Sequence, residues 1–272
     1  MKKLIIIKLG GSILTEKSQT EAILKTEVIT SLSKQISDLY NSNKYQIVLV
    51  HGAGSFGHPL AKKYKLNQEV KTKMQKFGLV LTQHTILELN LLLTESLLDN
   101  KVPAISLPPH SFIKQKDGKV DKINLVLVKE YLKGNYMPVL YGDVVLDDKL
   151  GASIISGDIV TSCLAQYLEV EKVVFLTDVD GIFDSNPKTN PRAKLIPYVS
   201  NLNLQEVLRG ISAHNPNDVT LEMKGKLLGI QKHLSNVEVI IANGLKENAI
   251  TNALAGKGAR TQINFKLRVQ KG

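Results

Sequence analysis

Short apolar, β-branched runs alternate with longer helical patterns along nearly the whole chain, and this alternation restricts the fold more than any other feature. The runs lie at 4–9, 46–51, 104–107, 137–141, 172–177 and 238–242, and each is close to continuously apolar. A strand buried on one face alternates apolar with polar residues, whereas a strand covered on both faces does not. Helical patterns fall between the runs, near 24–41, 58–66, 69–99, 124–133, 157–168, 203–211 and 222–234. The predicted fold class is therefore α/β, with a mainly parallel sheet and helices on both sides. Two local hairpins interrupt the alternation. One spans 113–120 with Asp117-Gly118 at its centre, and a weaker one spans 144–151.

The 272 residues suffice for one large α/β domain or two small ones, and 43% apolar content provides a substantial core. Lys and Arg number 35 against 25 Asp and Glu, a net charge of +10. That excess is either a solvated basic surface or a field that draws in an anionic ligand. Nucleic acid is disfavoured as a partner, because aromatics are 5% and Trp is absent. The lone Cys163 excludes an intramolecular disulfide, fits a reducing cytosol and reads as a core residue. The N-terminal apolar run is too short for a signal segment, and the stretch 79–98 carries His84, Glu88, Asn90 and Glu95. A cytoplasmic protein without a membrane partner is expected.

Five motifs carry chemistry. Lys8-Leu9-Gly10-Gly11-Ser12 closes the first predicted strand, and Lys17 follows in the next loop. Its lysine precedes the glycines, which is not the order of the P-loop. The second predicted strand empties into His51-Gly52-Ala53-Gly54-Ser55-Phe56-Gly57-His58. A loop without side chains at a strand end lets backbone N–H groups approach a phosphate. Gly52, Gly54 and Gly57 also fit the G-x-G-x-x-G dinucleotide pattern, but that pattern belongs after the first strand and with a later acid. Two glycine turns on one sheet edge would bring two anions face to face, which suits phosphoryl transfer. Ser156-Gly157-Asp158 opens a helix, either as an ordinary cap or with Asp158 as an anchor for lysines. Thr177-Asp178-Val179-Asp180-Gly181-Ile182-Phe183 resembles a metal or ribose site, though not a calcium loop. Asn217-Asp218-Val219-Thr220-Leu221-Glu222-Met223-Lys224-Gly225-Lys226 is a capped helix start or a phosphate contact.

In this order the five motifs resemble the amino acid kinase superfamily over roughly residues 4–245, and most of all its isopentenyl phosphate kinases. The histidine at position 58 separates this pattern from acetylglutamate, carbamate and uridylate kinases, while fosfomycin kinases share it. The resemblance implies a three-layer α/β/α sandwich with an open sheet, and a homodimer. It implies transfer of the γ-phosphoryl group of ATP, with Mg²⁺, to isopentenyl phosphate. It further implies an acceptor-binding and dimerising part at about 1–150 and a nucleotide-binding part at about 151–272. Carried over by position, Lys8 bridges phosphates, Lys17 stabilises the migrating group, and Asp158 orients both lysines. Gly10, Gly11, Ser12, Gly54 and Lys226 cradle ATP phosphates, and Asp178 and Phe183 contact the nucleotide. Ala53 and Gly157 offer backbone donors to the acceptor phosphate, and His58 hydrogen-bonds it. No metal-ligating residue is assigned.

Two departures accompany the resemblance. Ala53 replaces a glycine, and alanine resists positive φ. Leu221-Glu222 replaces a Gly-Gly pair, which puts an acidic residue beside nucleotide phosphates. A non-catalytic ATP-binding module is the alternative this second departure supports. For the isoprenoid tail, Leu79, Ile86 and Leu93 recur every seven residues and could line a slot or simply pack in the core.

Overall fold

The computed structural model describes residues 2–16, 21–212 and 219–265. The chain opens with β1 (Lys3–Leu9), the short α1 (Gly11–Leu14), α2 (Thr26–Asn41), β2 (Tyr45–His51), α3 (His58–Lys63) and the long α4 (Lys73–Asp99). There follow β3 (Ala104–Ser106), β4 (Ile113–Lys116), β5 (Lys119–Ile123), α5 (Val126–Lys133), β6 (Met137–Tyr141), β7 (Asp143–Asp147) and β8 (Gly151–Ile155). Next come α6 (Gly157–Tyr167), β9 (Val170–Thr177), β10 (Ile182–Phe183), β11 (Leu195–Ile196), β12 (Tyr198–Ser200) and α7 (Leu204–Ser212). The last elements are α8 (Val219–His233), β13 (Glu238–Asn243), α9 (Ala249–Leu254) and β14 (Arg260–Asn264).

Eight strands form one sheet in the order β12-β14-β13-β9-β1-β2-β6-β3, parallel except for the β13–β14 pair. β1 shows why the runs are continuously apolar. Ile6 packs with Val160, Leu164, Leu208 and Leu227 on one face, while Ile5, Ile7 and Leu9 pack with Ile29, Leu32, Ile36 and Leu97 on the other. Helices α5, α6, α7 and α8 cover the first face, and α2, α4 and α9 the second. The expected α/β/α sandwich is the observed one.

The boundaries follow local chemistry. α4 begins at Lys73, four residues later than its apolar pattern, because Thr72 and Gln75 form a capping box with each backbone N–H donating to the other's side chain at 3.1 Å. α3 ends at Lys63 rather than 66, since Lys65 turns to a φ of +53°. The two predicted hairpins pair with each other into a second sheet, β5-β4-β7-β8. The buried Asp147 joins them. Its carboxylate accepts from the N–H groups of Asp117, Gly118, Lys149 and Leu150 and from the Ser153 hydroxyl, all at 2.8–3.0 Å. Burial opposes its charge, but these donors prevail and hold the carboxyl below its ordinary range.

The register places the strand ends level. Leu9 stands beside both His51 and Leu176, His51 beside Tyr141, and Asn243 beside Thr177. A glycine N–H leaves four of these ends and donates to the neighbouring strand's terminal carbonyls. Gly244 reaches Thr177, Gly10 reaches Leu176, Gly52 reaches Leu9 and Gly142 reaches His51, each at 2.9 Å. The carboxyl edge of the sheet is thus a flat, stitched shelf, the place where parallel α/β sheets bind ligands.

Leu49 is fully buried in the central strand β2. Leu49→Ala is expected to lower unfolding stability by about 2–5 kcal/mol, read as a fall in the urea midpoint with an unchanged slope.

Candidate active site

The two glycine turns meet on this shelf. A Cβ on Gly11 would lie 2.4 Å from the Gly54 nitrogen, so neither turn tolerates a side chain where they touch. Thr15 ties them together: its hydroxyl donates to the Gly11 carbonyl at 3.0 Å and accepts from the Ser55 N–H at 2.9 Å. The positive φ of the second turn falls on Gly54, at +51°, whereas Ala53 has a φ of −79° and a ψ of −27°. The alanine that replaces glycine is therefore unstrained, because the left-handed residue is its neighbour.

Backbone donors remain available around the junction. Among the described residues, the N–H groups of Gly11, Ser12, Ala53, Gly54 and Gly157 donate to no protein acceptor. Gly10 does not join them, since its N–H is held by Leu176. Its contribution is a close approach: a Cβ there would lie 2.9 Å from the Leu176 carbonyl oxygen. Gly157 likewise lets the start of α6 press on β2, with 2.9 Å from a hypothetical Cβ to the His51 carbonyl oxygen.

Asp158 sits in the first turn of α6, behind Ser156, whose hydroxyl accepts from the Ile159 N–H as an N-cap. Its carboxylate meets Lys8 Nζ at 2.8 Å through one oxygen and Lys226 Nζ at 2.5 Å through the other. Both lysine side chains are at least nine-tenths buried, and the carboxylate is about one-third exposed (31%). Burial pushes against ionisation of Asp158, but the two ammonium groups outweigh it and hold the carboxyl well below its usual range. The Lys226 ammonium also lies over the Phe175 ring, 4.9 Å from its centroid. The expected partners of Asp158 were Lys8 and Lys17. The observed pair is Lys8 and Lys226, and Lys17 lies outside the described residues.

The remaining predicted residues are distributed along the shelf. His58 is the first residue of α3, exposed, at the far end of the second turn. Asp178 leaves the end of β9 and pairs with Lys188, and Phe183 is half-buried in the β10–β11 hairpin. Asp180, the other acid of that segment, is held by Lys246 and Asn243. Leu221 and Glu222 form part of the first turn of α8; their side chains, like Asn217 and Asp218 altogether, lie outside the described residues. The seven-residue repeat on α4 splits: Leu93 packs in the core and Leu79 in a satellite cluster with Leu66 and Val70. Ile86 alone of the three reaches the loop, 3.1 Å from where a Cβ on Gly57 would lie. A cavity of about 540 Å³ separates α6 from α8, with Val120, Cys163, Phe175 and Ile230 in its lining and Asp158 and Lys226 in its wall.

One buried group escaped the motif reading. The His51 ring is fully buried under the second turn, and desolvation lowers its pKa to about 4. It bonds to Gly52 and Asn90 and stacks on Tyr141.

These features define a kinase of the two-glycine-turn type. The chain belongs to the amino acid kinase family, whose model matches residues 3–243. It is 36% identical to the isopentenyl phosphate kinase of Methanothermobacter thermautotrophicus over 97% of this chain and the whole of that protein. It is 37% identical to the isopentenyl phosphate kinase of Methanocaldococcus jannaschii, covering 96% of this chain and 99% of that one. A crystal structure described as an isopentenyl phosphate kinase superposes with a TM-score of 0.82 at 32% identity, covering 96% of this chain and all of that one.

Asp158→Asn removes the counter-charge of two buried ammonium groups. Turnover is expected to fall on the order of 10²-fold through mispositioned lysines. The stability that Asp158 contributes is present above the ordinary carboxylate value of 3.8 and shrinks as pH falls below it, because its folded pKa is depressed. Denaturation midpoints of the wild type and Asp158→Asn should therefore be well separated at pH 7 and converge below about pH 4.

Proposed function

We propose that this chain transfers the γ-phosphoryl group of ATP to isopentenyl phosphate, forming isopentenyl diphosphate and ADP. One observation carries the reading: two glycine turns with available N–H groups face each other beside a Lys8–Asp158–Lys226 cluster. The full-length likeness to isopentenyl phosphate kinases supports the acceptor.

The chemistry asks little covalent work of the protein. A phosphate monoester is largely dianionic at neutral pH, so its oxygen attacks the γ-phosphorus without a general base. The bond from that phosphorus to the β–γ bridging oxygen breaks, and ADP leaves. Charge neutralisation and alignment are what the chain supplies. In this reading Gly11, Ser12, Gly54 and Lys226 hold ATP phosphates, and Lys8 bridges donor and acceptor. Gly10 shapes the turn, Ala53 and Gly157 donate N–H groups to the acceptor phosphate, and His58 donates from its far side. Lys17 stabilises the migrating group, and Asp178 and Phe183 contact the nucleoside. Mg²⁺ arrives with ATP as part of the substrate. Among the described residues no group of three or more His, Cys, Asp or Glu could hold an ion, and Mg²⁺ commonly binds through substrate phosphates.

The part at about 1–150 is proposed to take the acceptor and to dimerise, and the part at about 151–272 to take the nucleotide. β1, β2, β6 and β3 come from the first and β9, β13, β14 and β12 from the second. The outward side of α4 exposes Met74, Phe77, Val80 and Leu91, an apolar surface that supports the homodimer. α4 is long and apolar enough to cross a membrane by length and composition. It packs Leu93 and Leu97 into the core of the sandwich, which supports a reading in which α4 does not span a membrane. A cytoplasmic setting suits Cys163, whose buried thiol is pushed up to about 11 and stays protonated.

A coupled ADP-release assay over isopentenyl, dimethylallyl and geranyl phosphates and fosfomycin tests the acceptor. Isopentenyl phosphate should give the highest kcat/KM, and a higher value for fosfomycin would overturn the reading. His58→Ala should raise the KM for isopentenyl phosphate about 10-fold or more, the loss of one charge-assisted hydrogen bond, with the KM for ATP little changed. An unchanged acceptor KM would remove His58 from the site.

A further inference from the structure

The buried ring of His51 has no part in the phosphate contacts above, yet it links the acceptor-side turn to α4 and β6. A neutral imidazole carries one N–H and one lone pair. Nδ1 lies 3.0 Å from the Gly52 carbonyl oxygen, which only accepts, so Nδ1 carries the hydrogen. Nε2 must then accept, and the Asn90 amide of α4 donates to it at 3.1 Å. The Ser106 hydroxyl, at the end of β3, donates to the other side of that amide at 2.5 Å and so orients it. Stacking on Tyr141 of β6, with ring centroids 5.2 Å apart, fixes the ring plane.

Peptide planarity turns this hold into an aim. The Gly52 carbonyl and the Ala53 N–H belong to one trans peptide unit and point in opposite directions. With the carbonyl drawn onto the buried ring, the Ala53 N–H is turned away from it, and it donates to no protein acceptor among the described residues. The preceding peptide unit is fixed as well, because the Gly52 N–H donates to the Leu9 carbonyl at 2.9 Å, so the turn is anchored on both sides of Gly52. We propose that His51, kept in its Nδ1–H tautomer by Asn90 and Ser106, is a positioning residue that aims the Ala53 N–H at the acceptor phosphate. The proposal rests on the acceptor site described under the proposed function.

Nitrogen-15 NMR of the full chain tests it without turnover. The ring nitrogen shifts of His51 should report Nδ1–H, and titration with inorganic phosphate should move the Ala53 amide proton downfield. Asn90→Leu removes the donor to Nε2 at similar volume, and Ser106→Ala removes a single hydroxyl from a half-buried site with little threat to folding. Both should at least halve the Ala53 response. In steady state both should raise the KM for isopentenyl phosphate about tenfold, one hydrogen bond's worth, and leave the KM for ATP within about twofold. A merely structural role would move both constants together. An Nε2–H tautomer in the wild type, or an Ala53 response unaltered in both variants, overturns the proposal. If isopentenyl phosphate is not turned over while the Ala53 amide responds as stated, the substrate reading fails and the positioning role stands.

Discussion

A single carboxylate shared between two buried ammonium groups is the interaction on which the site depends. Asp158 joins the end of β1, through Lys8, to the middle of α8, through Lys226, with both contacts at 2.8 Å or less. Two like charges this close repel strongly in a partly dry site, and lysine is a flexible point charge that keeps no geometry by itself. The carboxylate solves both problems. It neutralises one of the two charges and leaves a net positive site, which the proposed function fills with phosphates. Its own position is secured by Ser156, which caps α6, and by Gly157, which lets that helix press on β2.

The second requirement is flatness. Parallel strands that end level place their first loop residues in one row, and glycines in that row let neighbouring turns touch backbone to backbone. Amide groups that would otherwise be screened by side chains then point into a shared space. The four glycine N–H groups bonded to neighbouring strand ends give the row its rigidity. A site that works by alignment needs such support more than it needs reactive side chains.

Much of this was legible in the residues. Six of the eight strands of the main sheet were readable because burial on both faces leaves continuous apolar runs, as in β1 and β9. The glycine turns were readable because glycine at a strand end has few other reasons to recur. What escaped reading was tertiary. Asp158 announced itself as a helix start, but its partner Lys226 lies 68 residues away and nothing local links them. Asn90 and Ser106 belong to an ordinary helical pattern and a short strand, so their grip on His51 had no local signal. Ala53 looked strained only because the left-handed residue had not been located at Gly54. The elements β10, β11, β12 and α9 span two to six residues, too few for a period to show.

The central claim is that Asp158 makes Lys8 and Lys226 act as one unit. A double-mutant cycle on kcat/KM, using Asp158→Asn, Lys226→Met and the combination, tests it most directly. If the unit exists, the double variant should be scarcely worse than the more damaged single variant, with a coupling of about 1–3 kcal/mol. Losses that simply multiply would show that the two residues act independently and would contradict the account.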